Sequence, residues 1–95
     1  MRIIQLRLKS PAGTVPSEAD AALVHDILWA HSGLESGCEH IRARAGPDAV
    51  DLSILLAEAV QDPLAQVLNL IESAARNSTY LSGWQIVRRA RANDE

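Results

Sequence analysis

The chain alternates apolar and polar residues with period two in several short stretches, a pattern typical of half-buried β-strands. Residues 2–9 place Ile4, Leu6 and Leu8 on one face, and residues 40–45 and 51–56 alternate in the same way. A further strand is predicted to begin at Trp84 and to run through the arginines at 88, 89 and 91. The pattern therefore predicts a sheet with one apolar face.

Two other stretches have the period of a helix. The first begins at Ser17, a suitable N-cap residue, with Glu18 and Asp20 in a first turn that favours acidic residues. Its predicted apolar stripe is Leu23, Ile27, Ala30 and Leu34, flanked by Val24 and Leu28. The second begins at Asp62, because the following Pro63 suits the first helical position. Its predicted stripe is Leu64, Val67, Leu68, Ile71 and Ala75.

The predicted order of elements is β-α-β-β-α-β, since Gly46 to Ala49 form a hairpin turn between the second and third strands. This order is that of the ferredoxin-like α+β sandwich. Right-handed crossovers place both helices on one face of a four-stranded antiparallel sheet, with the first and third strands in the centre. We predict a single domain over residues 1–92 and a short tail over 93–95.

Length and composition fit one soluble globular domain. The chain has 95 residues, of which 47% are hydrophobic and 22% charged. Cys38 is the only cysteine, which excludes an intrachain disulfide and favours a cytoplasmic protein. Residues 1–9 lack the unbroken apolar run of a signal peptide, and no stretch has membrane-spanning length. We therefore expect a cytoplasmic protein without a membrane partner.

Charge is distributed unevenly along the chain. The formal net charge is −3, yet all but one of the 9 basic residues fall in predicted strands. The first helix carries Glu18, Asp20 and Asp26 and no Lys or Arg. The sequence therefore predicts an acidic helical layer and a basic open sheet face.

Several interpretations of that open face compete. Its side chains can simply be solvated, or the face can pair two copies of the chain through Ile3, Leu55 and Val87. We favour pairing into a homodimer or higher homo-oligomer, because exposed aliphatic residues on strands mark interaction sites. A groove for a peptide or an acidic small molecule is a further interpretation, with the arginines of the face as ligand-binding residues: Arg7, Arg42, Arg44 and Arg89. Nucleic acid is not expected, since the central strands lack stacking aromatics and the chain is acidic.

Few residues suggest catalysis. Cys38 and His40 lie two apart, which in a regular strand places both on one face as a thiol–imidazole pair. Asp51 is expected to form ion pairs with arginines across the sheet. Glu58 has no arginine near it in sequence and is the better candidate for a catalytic carboxylate. These candidates carry no recognised catalytic motif.

No cofactor or metal ion is predicted. His25 and His31 are six residues apart on the first helix, which does not match the spacing of a helical metal pair. The three aromatic residues are Trp29, Tyr80 and Trp84. We expect Tyr80 and Trp84 to pack in the core, although with Trp29 they could instead frame a pocket at the sheet edge.

Three segments resemble small actinobacterial proteins encoded beside peptide natural-product pathways. They are EHIRARAGPD at 39–48, VDL at 50–52 and LSGWQIV at 81–87. One protein type of such pathways, the terminal amide synthase of thiopeptide antibiotic maturation, is similar in being a small, cofactor-free α/β protein. The resemblance implies cleavage of a dehydroalanine-extended peptide end to leave an amide, but it matches no catalytic position here.

The predicted function is therefore that of a small oligomeric accessory or tailoring protein acting on a peptide or small metabolite in bacterial specialised metabolism. A cofactor-free enzyme of the terminal-amide type and a small-molecule-sensing regulatory domain are the alternatives.

Overall fold

The computed structural model describes residues 2–33 and 37–87. Its elements, in chain order, are β1 (Arg2–Lys9), α1 (Glu18–Ser32), β2 (Cys38–Ala45), β3 (Val50–Leu56), α2 (Pro63–Arg76) and β4 (Gln85–Val87).

The strands form one antiparallel sheet of 4 strands in the order β2-β3-β1-β4. This order and the two helices confirm the predicted ferredoxin-like α+β fold, with β1 and β3 in the centre. The predicted continuation of the last strand through Arg91 and the 92/93 domain boundary lie outside the described residues.

The inward faces of the central strands agree with the period-two prediction. Leu6 and Leu8 of β1 are buried, and β3 buries every second residue from Val50 to Leu56. These side chains form one core with the buried faces of the two helices. Every second residue of β1 and β3 therefore points away from the helices, onto a face that neither helix covers.

The N-terminus of α1 is built as predicted. The Asp20 N–H donates to Ser17 Oγ at 3.2 Å, and the Ser17 N–H donates to Asp20 Oδ2 at 2.8 Å, which completes a capping box. In α2, the Ala65 N–H donates to Asp62 Oδ1 at 3.2 Å, so Asp62 is the N-cap and Pro63 the first helical residue.

The buried face of α1 is displaced from the predicted centre of the stripe onto the residues predicted to flank it, Val24 and Leu28. Leu23 is 45% exposed and Ala30 is also exposed, whereas Ile27 is partly buried and Leu34 lies outside the described residues. The buried residues of α1 are Ala21, Val24 and Leu28. The apolar residues of α1 are spread around the helix and not confined to one side, so its periodicity could not select the face that meets the sheet.

The stripe of α2 is nearly as predicted. Val67 and Ile71 are buried, and Leu68 and Ala75 are partly buried against the core. Leu70, which the sequence analysis did not place in the stripe, is buried as well.

Candidate functional site

The outward side chains of β2, β3 and β1 form cross-strand rows on the face that the helices leave open, called here the open face. The rows are Arg44, Asp51 and Arg7; Arg42, Ser53 and Gln5; and His40, Leu55 and Ile3. Val87 of β4 extends the first row, because it pairs with Arg7.

Ion pairs occupy one end of the open face. Arg7 Nε lies 3.2 Å from Asp51 Oδ1, and the same guanidinium also donates to Asp48. Asp51 thus lies between Arg7 and Arg44 in register, as the sequence suggested, and its carboxylate is engaged. Arg42 and Arg44 are exposed and face solvent, so they are better placed than Arg7 to meet an external ligand. Arg89 lies outside the described residues.

The apolar residues of the open face do not form one patch. Ile3 lies directly opposite Leu55 on the neighbouring strand. Ile3 is 57% exposed, whereas Leu55 is partly buried. Val87 is on the same face but beside Arg7, roughly 13 Å farther along β1 at about 3.3 Å per residue. The predicted interface trio therefore reduces to a pair, Ile3 and Leu55, with Val87 apart.

The predicted thiol–imidazole pair does not exist. Cys38 pairs with Leu56 and His40 with the adjacent Leu55, so Glu39 is an extra residue in a β-bulge. The bulge turns Cys38 towards the core, while His40 lies exposed on the open face. Partial burial raises the pKa of the Cys38 thiol above its ordinary value, which disfavours the nucleophilic thiolate.

Glu58 has no arginine near it in sequence, but Arg2 is its neighbour in the fold. Because Arg2 pairs with Leu56, the start of β1 lies beside the residues that follow β3. Arg2 Nε is 4.0 Å from Glu58 Oε1, and both side chains are largely exposed. An exposed, paired carboxylate of this kind is a weak candidate for a general base.

Tyr80 and Trp84 line a pocket of about 170 Å³ on the helical side of the sheet. Leu8 at the end of β1, the hydroxyl residues Ser10 and Thr14, and Asp20 of α1 also line it. Core packing was the favoured prediction for Tyr80 and Trp84, and a pocket was the alternative. Both side chains are partly buried against the core, and both also line the pocket.

Trp29 does not belong to this pocket. It is 46% exposed on α1 and its ring stacks on His25, with centroids 6.4 Å apart. His25 Nδ1 lies 3.0 Å from Asp26, whereas His31 Nδ1 lies 2.9 Å from the Ile27 carbonyl oxygen. The two histidines therefore have separate environments.

The described part of the chain holds no group of three or more His, Cys, Asp or Glu side chains arranged to bind a metal ion. Neither of its helices combines the length and apolar character needed to cross a bilayer.

The pocket was missed as a leading candidate because its walls come from distant segments. Ser10 and Thr14 lie in a loop that sequence alone marks only as turn-rich, and Tyr80 lies in another irregular segment. The signal that the sequence offered was the closeness of Tyr80 and Trp84 in a chain with 3% aromatic residues. No protein-family model, curated protein or solved structure matches this chain.

Proposed function

We propose that this chain is a small homodimeric accessory protein that binds a peptide or small metabolite without transforming it. The observation that carries the proposal is the pair of Ile3 and Leu55 on the central strands of a face that neither described helix covers. Different observations support the pairing of two copies and the binding of a ligand.

The open face favours pairing of two copies. Exposed aliphatic surface on a small domain costs about 25 cal/mol per Å² relative to its burial, and a second sheet face would bury it. Arg42 and Arg44 point outward from the same face, and in the proposed pair they would face acidic groups of the other copy such as Asp51 or Glu58. Such charge pairs would set the register of the two sheets more than their affinity.

Binding without catalysis is supported by the dispersion of the reactive groups. Cys38 faces the core while His40 faces outward. Asp51 is held by Arg7, and Glu58 is exposed beside Arg2. The described residues therefore do not bring together the catalytic groups that a cofactor-free enzyme of the terminal-amide type would need.

The pocket favours a second candidate function, small-molecule sensing, because it offers a concave site away from the open face. The resemblance in sequence provides the proposed setting, the cytoplasm of a bacterium and a peptide natural-product pathway. Nucleic acid is not a proposed partner, because the outward residues of the central strands include no aromatic side chain on which a base would stack: they are Ile3, Gln5, Arg7, Lys9, Asp51, Ser53 and Leu55.

Substitution of Leu55 by Lys tests the pairing. Two added charges would meet near the twofold axis, so Leu55→Lys should be monomeric by light scattering at a concentration where the unmodified protein is a dimer. Circular dichroism should show an intact fold, because Leu55 points away from the core.

Leu23→Lys is the matched control, since Leu23 is an exposed leucine on α1, on the opposite side of the molecule. It should leave the dimer unchanged. If Leu23→Lys rather than Leu55→Lys dissociates the protein, the helical face is the interface. A wild-type monomer at high micromolar concentration would equally overturn pairing through the open face.

A further inference from the structure

The pocket beside Tyr80 has the size of a small organic group. Its volume is about 170 Å³. An engineered apolar cavity of about 150 Å³ in another protein takes up benzene, whereas sites for drug-sized ligands occupy about 300–1,000 Å³. The pocket therefore fits a compact head group and not an extended molecule.

Two aromatic rings form one wall. The centroids of Tyr80 and Trp84 are 5.6 Å apart and their planes are tilted by 39°. The electron-rich face of an aromatic ring attracts a cation, most strongly for Trp. This wall suits an apolar stem or a positive charge.

Asp20 gives the pocket its charge. The Tyr80 hydroxyl donates to Asp20 Oδ1 at 2.8 Å. The hydrogen bond from the Ser17 backbone, followed by that from Tyr80, lowers the pKa of Asp20, so the carboxylate is ionised at neutral pH. Burial raises the pKa of Tyr80 to about 12, so the phenol stays neutral. The lining therefore carries one negative charge.

Hydrogen-bond capacity points the same way. An ionised carboxylate has about four acceptor sites. Ser17 and Tyr80 together donate three hydrogen bonds to Asp20, which leaves capacity on Oδ1. Ser10 Oγ and Thr14 Oγ1, 3.3 Å apart, add two hydroxyl oxygens that can accept.

An anion is disfavoured here even though α1 begins at the pocket. The Asp20 N–H already donates to Ser17 Oγ, and the Ser17 N–H donates to the Asp20 carboxylate. These two N–H groups are therefore engaged, and the Asp20 carboxylate at this end of α1 would repel an anion.

We propose that this pocket binds the ammonium group of a small amine, with Asp20 accepting from the ammonium and Trp84 and Tyr80 covering its aliphatic stem. The inference deepens the binding role proposed above by naming a ligand class, and it rests on that role but not on pairing of the open faces. The amine can be a free metabolite or the amino group of a peptide.

Titration with three probes of similar shape but different charge tests the proposal. The probes are n-butylammonium, n-butanol and butyrate. Two-dimensional NMR separates the indole N–H signals of Trp84 and Trp29. We expect n-butylammonium to shift the Trp84 signal saturably, on the order of tenfold more tightly than n-butanol. The Trp29 signal should stay in place, because that ring lies on the outer side of α1.

Asp20→Asn should weaken n-butylammonium binding about tenfold while changing n-butanol little. Glu18→Gln is the matched control, since it removes a charge from the same helical turn but not from the pocket. A short peptide with a free amino terminus, compared with its acetylated form, distinguishes a peptide source from a free amine.

The proposal is overturned if the three probes bind equally, if butyrate binds best, or if Glu18→Gln weakens binding as much as Asp20→Asn. The Leu55→Lys variant separates the two proposals. If it is monomeric and binds n-butylammonium normally, both hold; if the wild type is dimeric but binds no amine, only the ligand class fails.

Discussion

Gly37 lies where the chain enters β2, and its environment leaves no room for a side chain. Its φ angle is +76°, and a Cβ built on it would lie 2.3 Å from Cγ2 of Val60. Its carbonyl oxygen accepts a hydrogen bond from Ala57 N–H at 2.9 Å, which ties this turn to the end of β3. Both the backbone conformation and the contact therefore require glycine.

Gly37→Ala should destabilise the fold by about 2–3 kcal/mol. The left-handed backbone costs a non-glycine residue about 1–2 kcal/mol, and overpacking against Val60 adds about 1–3 kcal/mol. Alanine also lowers the conformational entropy of the unfolded chain, which offsets about 0.4–1 kcal/mol of this cost. Val60 can relieve the contact only in part, because its branched side chain has few rotamers.

Gly13→Ala is the matched control, because Gly13 has φ +70° but no atom lies within 4 Å of the position that a Cβ would take there. In urea denaturation followed by circular dichroism, Gly13→Ala should lower the free energy of unfolding by about 1–3 kcal/mol less than Gly37→Ala does. This difference is the cost of the contact with Val60. The double variant Gly37→Ala with Val60→Ala should recover that difference as a coupling energy. Equal costs at the two glycines, or no coupling to Val60, would refute this reasoning.

Three other expectations follow from the packing and from the shifted pKa values. Leu28→Ala should lower the free energy of unfolding, measured with urea, by about 2–5 kcal/mol, and Leu23→Ala by under about 1 kcal/mol, because only Leu28 is buried. Similar losses would mean that α1 presents a different face to the sheet. The folded pKa of Tyr80, about 12, exceeds its ordinary value of 10.0, so the unfolded chain loses this proton first and stability should fall as pH rises from about 10 to 12. Tyr80→Phe should remove that part of the pH dependence, and an unchanged profile would contradict the assignment. Cys38 should react with iodoacetamide more slowly in the native protein than in urea, because burial raises its pKa and limits access; equal rates would place the thiol at the surface.

Sequence patterns predicted the strands well because a period of two leaves little freedom. Once Leu6 and Leu8 point inward, Arg7 must point outward, and the same holds for Asp51 between Val50 and Leu52. The helical period is less decisive where most positions are apolar. In α1, Leu23 and Leu28 are equally hydrophobic, and only tertiary packing selects the one that is buried.

The candidate site was harder to predict than the fold. A single extra residue, Glu39, reverses the side of the sheet to which Cys38 points, and nothing in its local sequence marks the bulge. The pocket depends on Asp20 and Tyr80, whose contact joins the first turn of α1 to a loop 60 positions later. Contacts at such separations are set by the assembled fold and leave no local pattern.

The bulge in β2 also bears on aggregation. β2 is at one end of the strand order, so its outer backbone groups form a sheet edge at which another strand could add. The irregular ladder at Glu39 interrupts that edge, and the charged side chains of Arg42 and Arg44 resist stacking of identical strands. The edge of the sheet at β2 is therefore a poor template for the repeated strand addition by which fibrils grow.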